Sequence, residues 1–307
     1  GFLSVPQGAG FCIYTNGSRA ISDTLYTFVE SDITVEIKFK VDESPKTCGT
    51  IWSYKNSVSF SIFLCGTQLK VGYNTSFITL GVIAVNPGMW YHLTVLWTEQ
   101  DRRITVYLVK QDGSYTNNFI KFDFTSHSPI VPGGIFILGQ FAPFTWKFDG
   151  YLDELRIWKK PLTVTEIVTR SFAYIQSKEL GLANIWRLNE GTGHVSVDPV
   201  TGLMLSWFSS PWLHPQWVMA DYKLTFPDLS VYNPYSLYLN PLDSIQSQCF
   251  SFIYSLYFNT TCSSLGNYVQ TMFYQQCLSN AVWGNSIQAS MEIIVAYADF
   301  CVPNRLS

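Results

Sequence analysis

Residues 30–160 carry one signal that restricts the fold more than any other: apolar and polar side chains alternate with a period of two. Ile33, Val35, Ile37 and Phe39 alternate with Thr34, Glu36, Lys38 and Lys40. Successive side chains of a strand point to opposite faces, so this run predicts one face in a core and the other in water. Tyr91, Leu93, Val95 and Trp97 form a second such face. Ile104, Val106 and Leu108 follow the turn Gln100-Asp101-Arg102, which predicts a hairpin. Asp112-Gly113 marks another turn, and Pro132-Gly133-Gly134 leads into the apolar run Ile135 to Leu138, expected to be a fully buried strand. Many short strands with turn chemistry between them predict a mainly β chain built as an antiparallel jelly-roll sandwich. One helix interrupts: Thr163 and Glu166 have the spacing of a capping box, with Ile167, Phe172 and Ile175 as core contacts, and strand sequence resumes at Ala183 to Leu188.

Past residue 222 the texture changes. Pro227, Asn233-Pro234 and Asn240-Pro241 read as a linker or extended wrap, and four of the seven cysteines follow. Leu265, Val269, Met272 and Gln276, then Ile287, Met291, Ile294, Ala298 and Cys301, recur at helical spacing. The expected organisation is therefore a sandwich over 1–222 and a small, disulfide-stapled, helical domain over 223–307.

Cys48 and Cys65 flank two strand-like runs joined at Lys55-Asn56-Ser57, so a hairpin about that turn sets them almost opposite one another, within reach of a disulfide. Cys249, Cys262, Cys277 and Cys301 pair among themselves in one of three patterns, which leaves Cys12 unpaired or bonded to another chain. Sequons at Asn16, Asn74 and Asn259 accompany the cysteines and point to the secretory pathway, hence an extracellular or cell-surface location. A net charge of −3 without a basic cluster argues against nucleic acid. Hydrophobic residues at 47% can fill a large core, yet the most apolar stretch, Phe77 to Val85, is too short to insert in a membrane. The opening Gly1-Phe2-Leu3 suggests a removed signal or a piece of a longer protein.

Gly88-Met89-Trp90-Tyr91-His92-Leu93 resembles a strand of laminin-G-like and pentraxin-like sandwiches. Leu138-Gly139-Gln140, Phe148-Asp149-Gly150-Tyr151-Leu152-Asp153-Glu154-Leu155-Arg156-Ile157-Trp158 and Pro161-Leu162-Thr163-Val164-Thr165-Glu166-Ile167 continue that resemblance in order. Trp186 to Gly193, with Asp198 and Gly202, also resembles a laminin-G-like element. The C-terminal segments Cys262-Ser263-Ser264-Leu265, Phe273 to Cys277 and Tyr297 to Cys301 are similar to the eight-cysteine domain that accompanies von Willebrand factor type D modules.

The resemblance implies a calcium cluster after Gln140, but Phe141-Ala142-Pro143-Phe144-Thr145-Trp146 offers no carboxylate there. Asp23 and Asp149 are the remaining calcium candidates, and no cofactor is required. Asp153 is expected to point inward with Leu155 and Ile157, and Glu154 the other way. Asp149 and Asp153, four residues apart, are too far apart for a glycosidase pair. His92, His127, His194 and His214 lack zinc spacing, and His92 reads as a packed or rim residue. No catalytic residue emerges. Phe141, Phe144 and Trp146 form the one positive candidate: an aromatic patch for a protein or glycan, or a contact packed under the second domain. The expected function is a non-enzymatic adhesion or recognition module. The alternative is an assembly module that self-associates, with Cys12 as the interchain link.

Overall fold

The computed structural model describes residues 11–26, 28, 32–73, 76–121, 130–141, 146–191, 193–208, 216–222 and 277. Its elements run β1 (Phe11–Tyr14), β2 (Arg19–Ser22), β3 (Ile33–Lys40), β4 (Gly49–Lys55), β5 (Ser59–Cys65), β6 (Gln68–Tyr73), β7 (Ser76–Ala84), β8 (Tyr91–Thr98) and β9 (Arg103–Lys110). There follow β10 (Tyr115–Lys121), β11 (Ile135–Leu138), β12 (Tyr151–Trp158), α1 (Val164–Arg170), β13 (Leu182–Trp186), β14 (Val195–Val197), β15 (Met204–Phe208) and β16 (Gln216–Met219). One eight-stranded sheet has the order β10-β9-β8-β3-β12-β1-β16 with β13 beside β12; the other has the order β14-β15-β2-β11-β4-β5-β6-β7. Every strand pair with a resolved register is antiparallel, and the apolar face of each sheet enters one core: Ile37, Phe39, Leu93 and Leu155 from the first, Trp52, Phe60, Val71 and Phe136 from the second. The β-sandwich, the 91–108 hairpin and the buried strand at Ile135–Leu138 match the sequence reading. So does the capping box, where Glu166 N donates to Thr163 Oγ1 at 3.2 Å and Thr163 N donates to Glu166 Oε2 at 2.9 Å.

The chain divides into two compact units: 12–171 with 179–217, which holds the sandwich, and 1–11, 172–178 and 218–307. In the second, Phe172 meets Tyr222 edge-on with ring centroids 5.6 Å apart, Tyr174 and Ile175 are buried, and Cys277 is buried and disulfide-bonded. Cys249, Cys262, Cys301 and Asn259 lie outside the described residues, as does the rest of the expected helical domain.

The supposedly wet face of β3 is a correction. Glu36 and Lys38 are fully buried and Lys40 nearly so. The chain after β12 folds across this face: Thr34 Oγ1 donates to Lys160 O at 2.8 Å and Leu162 N donates to Thr34 Oγ1 at 3.1 Å. Burying such groups is tolerated only if they pair, and they do. Glu36 accepts from Trp158 Nε1 at 2.7 Å, sits 2.9 Å from His92 Nε2 and lies 3.5 Å from Arg156; Glu154 pairs with Lys38 and with Arg156 at 2.9 Å. Burial alone would raise the Glu36 carboxyl, but His92 and Arg156 hold it down at about 2. Burial lowers the pKa of His92 against the pull of Glu36, and the ring is wholly buried, the packed alternative read from sequence.

A second correction concerns β12. Lys38 faces Asp153 and Glu36 faces Arg156, so the register slips between the two partners. Glu154 is the extra residue, at φ 44°, the left-handed region that a β-bulge uses. Beyond it the faces exchange: Leu152, Leu155 and Ile157 enter the core, while Asp153 shares the Lys38 face rather than pointing inward with Leu155.

Candidate functional site

The second sheet turns its other face away from the core, and the pairing registers set out what that face carries. Thr50 faces Phe63, Phe63 faces Lys70 and Lys70 faces Thr79; in the neighbouring row Ser53 faces Ser61, Ser61 faces Gly72 and Gly72 faces Phe77. A side chain at Gly72 would not fit: a Cβ there would lie 2.6 Å from both the Phe63 ring and Ser61 Oγ and 3.2 Å from the Phe77 ring. The bare backbone at 72 lets the two rings meet above it, with centroids 5.4 Å apart.

The segment after β11 completes the cluster. Trp146 meets Phe63 edge-on at 5.0 Å and Phe77 at 4.9 Å, and it stacks on Phe141 at 5.9 Å with the planes inclined 25°. These are the separations and geometries that aromatic pairs prefer. Phe63 is the buried foundation at 1% exposure, whereas Phe77 and Trp146 present 44% and 39% of their surface. Trp146 adopts φ 51°, costly for a bulky residue. What holds it is backbone bonding on either side. Thr50 N donates to Trp146 O at 2.9 Å, Phe148 N donates to Gly139 O at 2.8 Å and Gln140 Nε2 donates to Gly17 O at 2.7 Å. Gly49 permits this approach, since a Cβ there would sit 3.0 Å from Lys147 O and Phe148 Cα.

The Cys48–Cys65 disulfide predicted from the hairpin is present, with Cα atoms 4.1 Å apart. It closes the β4–β5 corner next to the Gly49–Leu64 pair and one pair from Thr50–Phe63, so it braces the edge of the aromatic cluster. Two hydroxyls of this face, Thr50 Oγ1 and Ser61 Oγ, are buried and make no hydrogen bond among the described residues.

Of the residues singled out from sequence, the fold brings Phe141 and Trp146 together, and Phe144 lies outside the described residues. Phe63 and Phe77 are new members. They precede Trp146 by 83 and 69 residues in the chain, and only the sheet pairing reveals them; the one local hint was Phe77 at the head of the apolar run it opens. Asp23 lies after β2 with its carboxylate accepting from Met204 N at 2.8 Å, and Asp149 is exposed and raises the pKa of Tyr14 to about 12 through a hydrogen bond. Among the described residues no three His, Cys, Asp or Glu side chains group as a metal site. Cys12 is wholly buried in β1; Asn16 is exposed at the β1–β2 turn, with φ 39°; Asn74 lies outside the described residues.

The model of the Laminin_G_3 family, described as the concanavalin A-like lectin/glucanases superfamily, matches residues 13–168, half of the chain. The chain belongs to this superfamily. The matched stretch holds all four rings of the cluster. Among curated proteins the chain is similar to neuronal pentraxin-1 of Rattus norvegicus and of Mus musculus, 32% identical over 90 residues, which is 27% of this chain. It spans about a fifth of the length of those relatives, 20% in each case. Among solved structures it is similar to a "putative carbohydrate binding protein" from Bacteroides ovatus ATCC 8483, with TM-score 0.53, 15% identity and coverage of 72% of this chain and 62% of that one. The native heptameric SAP-like pentraxin of Limulus polyphemus matches with TM-score 0.42 and 20% identity, over 64% of this chain and 95% of that one. At these identities the superfamily likeness is one of fold.

Proposed function

We propose that this concanavalin A-like chain is an extracellular, non-catalytic recognition module of a larger secreted or cell-surface protein. Its ligand is a glycan that stacks on the Phe77–Trp146 surface. The observation that carries the reading is the placement of Trp146: a left-handed backbone, costly for a bulky residue, holds a large and partly exposed ring against Phe63 and Phe77. Aromatic rings present a flat apolar face to the C–H side of a pyranose, and Thr79, exposed, and Lys70, half-buried, lie in the adjoining row with hydrogen-bonding groups for its hydroxyls. The superfamily's lectin members and the carbohydrate-binding description of the Bacteroides ovatus protein support a saccharide over a peptide. The disulfide supports an oxidising compartment.

The test is a glycan array probed with the wild-type protein and with Trp146→Ala and Phe77→Ala. Wild-type protein retains a defined set of glycans, and each variant loses them while its melting temperature and near-ultraviolet spectrum stay unchanged. Undiminished retention by both variants would overturn the reading.

A further inference from the structure

The same sheet carries a charge pattern that the whole-chain balance of −3 conceals. From residue 44 to residue 98 the sequence contains no Asp or Glu, and neither does 124–148. Together these stretches supply five of the eight strands of the second sheet. The other three, Arg19–Ser22, Val195–Val197 and Met204–Phe208, also lack a carboxylate, so among the described residues the whole sheet is free of acidic side chains. Its cations are Arg19, Lys55 and Lys70. Alternation sets all three on the outward face, because their neighbours Ala20, Tyr54, Leu69 and Val71 belong to the core. Lys70 lies directly between Phe63 and Thr79 in its row, is half-buried, and forms no ion pair among the described residues.

From this we infer that the aromatic surface selects acidic saccharides, whose carboxylate or sulfate groups meet Lys70 while a sugar face stacks on Trp146 and Phe77; the inference rests on the recognition reading above. Among the described residues the strands of this face carry no like-signed side chain to repel an anion, and Asp23, just past β2, keeps its carboxylate on Met204 N at the β15 end. Such a face favours charged over neutral ligands, and the field of Arg19 and Lys55 adds to that of Lys70. The buried carboxylates Glu36 and Glu154 lie on the other sheet, each paired with cations there, and so do not cancel this field.

The experiment uses the full chain and three hexasaccharides: chitohexaose (neutral), a hyaluronan hexasaccharide (carboxylate) and a heparin-derived hexasaccharide (sulfate). Calorimetry is run at low salt and at physiological salt. The expected result is binding of at least one acidic hexasaccharide, weakened by salt and weakened roughly tenfold, about 1.4 kcal/mol, by Lys70→Gln. Trp146→Ala abolishes it. Melting curves of Lys70→Gln matching the wild type show that the loss is not unfolding, as a half-buried surface residue allows. Sulfate-only or carboxylate-only binding identifies which anion the face takes. If chitohexaose binds as tightly as the acidic sugars and Lys70→Gln leaves every affinity unchanged, the charge selection is wrong while the stacking site stands. If no hexasaccharide binds but the array still shows loss on Trp146→Ala, the acidic-saccharide inference fails and recognition remains; failure of both experiments removes the recognition reading too.

Discussion

Replacing Glu36 with Gln tests whether the ion network on the covered face of β3 is a paired set or a collection of independent charges. The Glu36 carboxylate serves Trp158 Nε1 at 2.7 Å, His92 Nε2 at 2.9 Å and Thr94 Oγ1 at 3.4 Å, with Arg156 at 3.5 Å. A glutamine keeps the volume but has one acceptor oxygen and one amide donor. With its oxygen on Trp158 Nε1 it sets its amide N–H groups against His92 and Thr94, which must turn from donating to accepting; with its oxygen on them it sets N–H against the Trp158 donor. Either way the charge opposite Arg156 is gone. Removing one member of a buried charge set costs about 3–5 kcal/mol. The depressed carboxyl pKa of about 2, against an ordinary 4.5, independently corresponds to roughly 3 kcal/mol. Arg156 retains Glu154, so the lower figure, about 3 kcal/mol, is expected. For a unit of this size it lowers the melting temperature by roughly 6–12 °C at pH 7. Because the folded pKa is depressed, this stabilisation is present above about pH 4.5 and is lost as pH falls towards 2. The gap between wild type and variant therefore narrows at pH 3. Scanning calorimetry at pH 7 and pH 3 measures both. A gap under roughly 2 °C at pH 7, or one that widens in acid, refutes the account.

Three further outcomes follow from the structure. Cys65→Ser opens a loop of 17 residues' separation and should cost about 3 kcal/mol, read as a lower denaturant midpoint with a slope no shallower than the wild type's, since the freed denatured chain exposes more surface. Glu190 accepts from Ser196 Oγ at 2.7 Å, and burial pushes its carboxyl up to about 7. Its raised pKa means stability present below about pH 4.5 and lost as pH rises through 7, so Glu190→Gln should stabilise by about 1–2 kcal/mol at pH 8.5, allowing for partial exposure, and by little at pH 4. Gly72→Ala should displace Phe63 and Phe77, costing roughly 1–3 kcal/mol in thermal unfolding and weakening glycan retention together with it.

Much of the sandwich was legible because its information is local. Alternation located β3, β8 and β9, Asp112-Gly113 marked a turn, and the Cys48–Cys65 bridge followed from counting residues about a hairpin. What escaped was non-local. Period two says that Glu36 and Lys38 share a face; it cannot say that Lys160 and Leu162 fold back over the neighbouring Thr34. Trp146 announced an aromatic patch, but its partners Phe63 and Phe77 come from distant strands whose adjacency exists only once the sheet is paired. Asp153 was misread because alternation assumes an unbroken ladder, and nothing in Asp153-Glu154-Leu155 advertises the bulge.

That bulge makes Glu154 behave like a base inserted into a reading frame. Up to it, odd-numbered residues of β12 share one face; after it, even-numbered ones do, and Arg156 and Trp158 reach Glu36 only in the shifted phase. A substitution at 154 removes one carboxylate, whereas deleting the residue heals the ladder: Leu155 then follows Asp153 directly, and plain alternation keeps Leu155 and Ile157 in the core and Arg156 and Trp158 opposite. In this strand the inserted residue, and not the strand's length, is what carries the extra charge, and a relative one residue shorter here keeps both faces of the sheet while giving up the carboxylate that pairs Lys38 with Arg156.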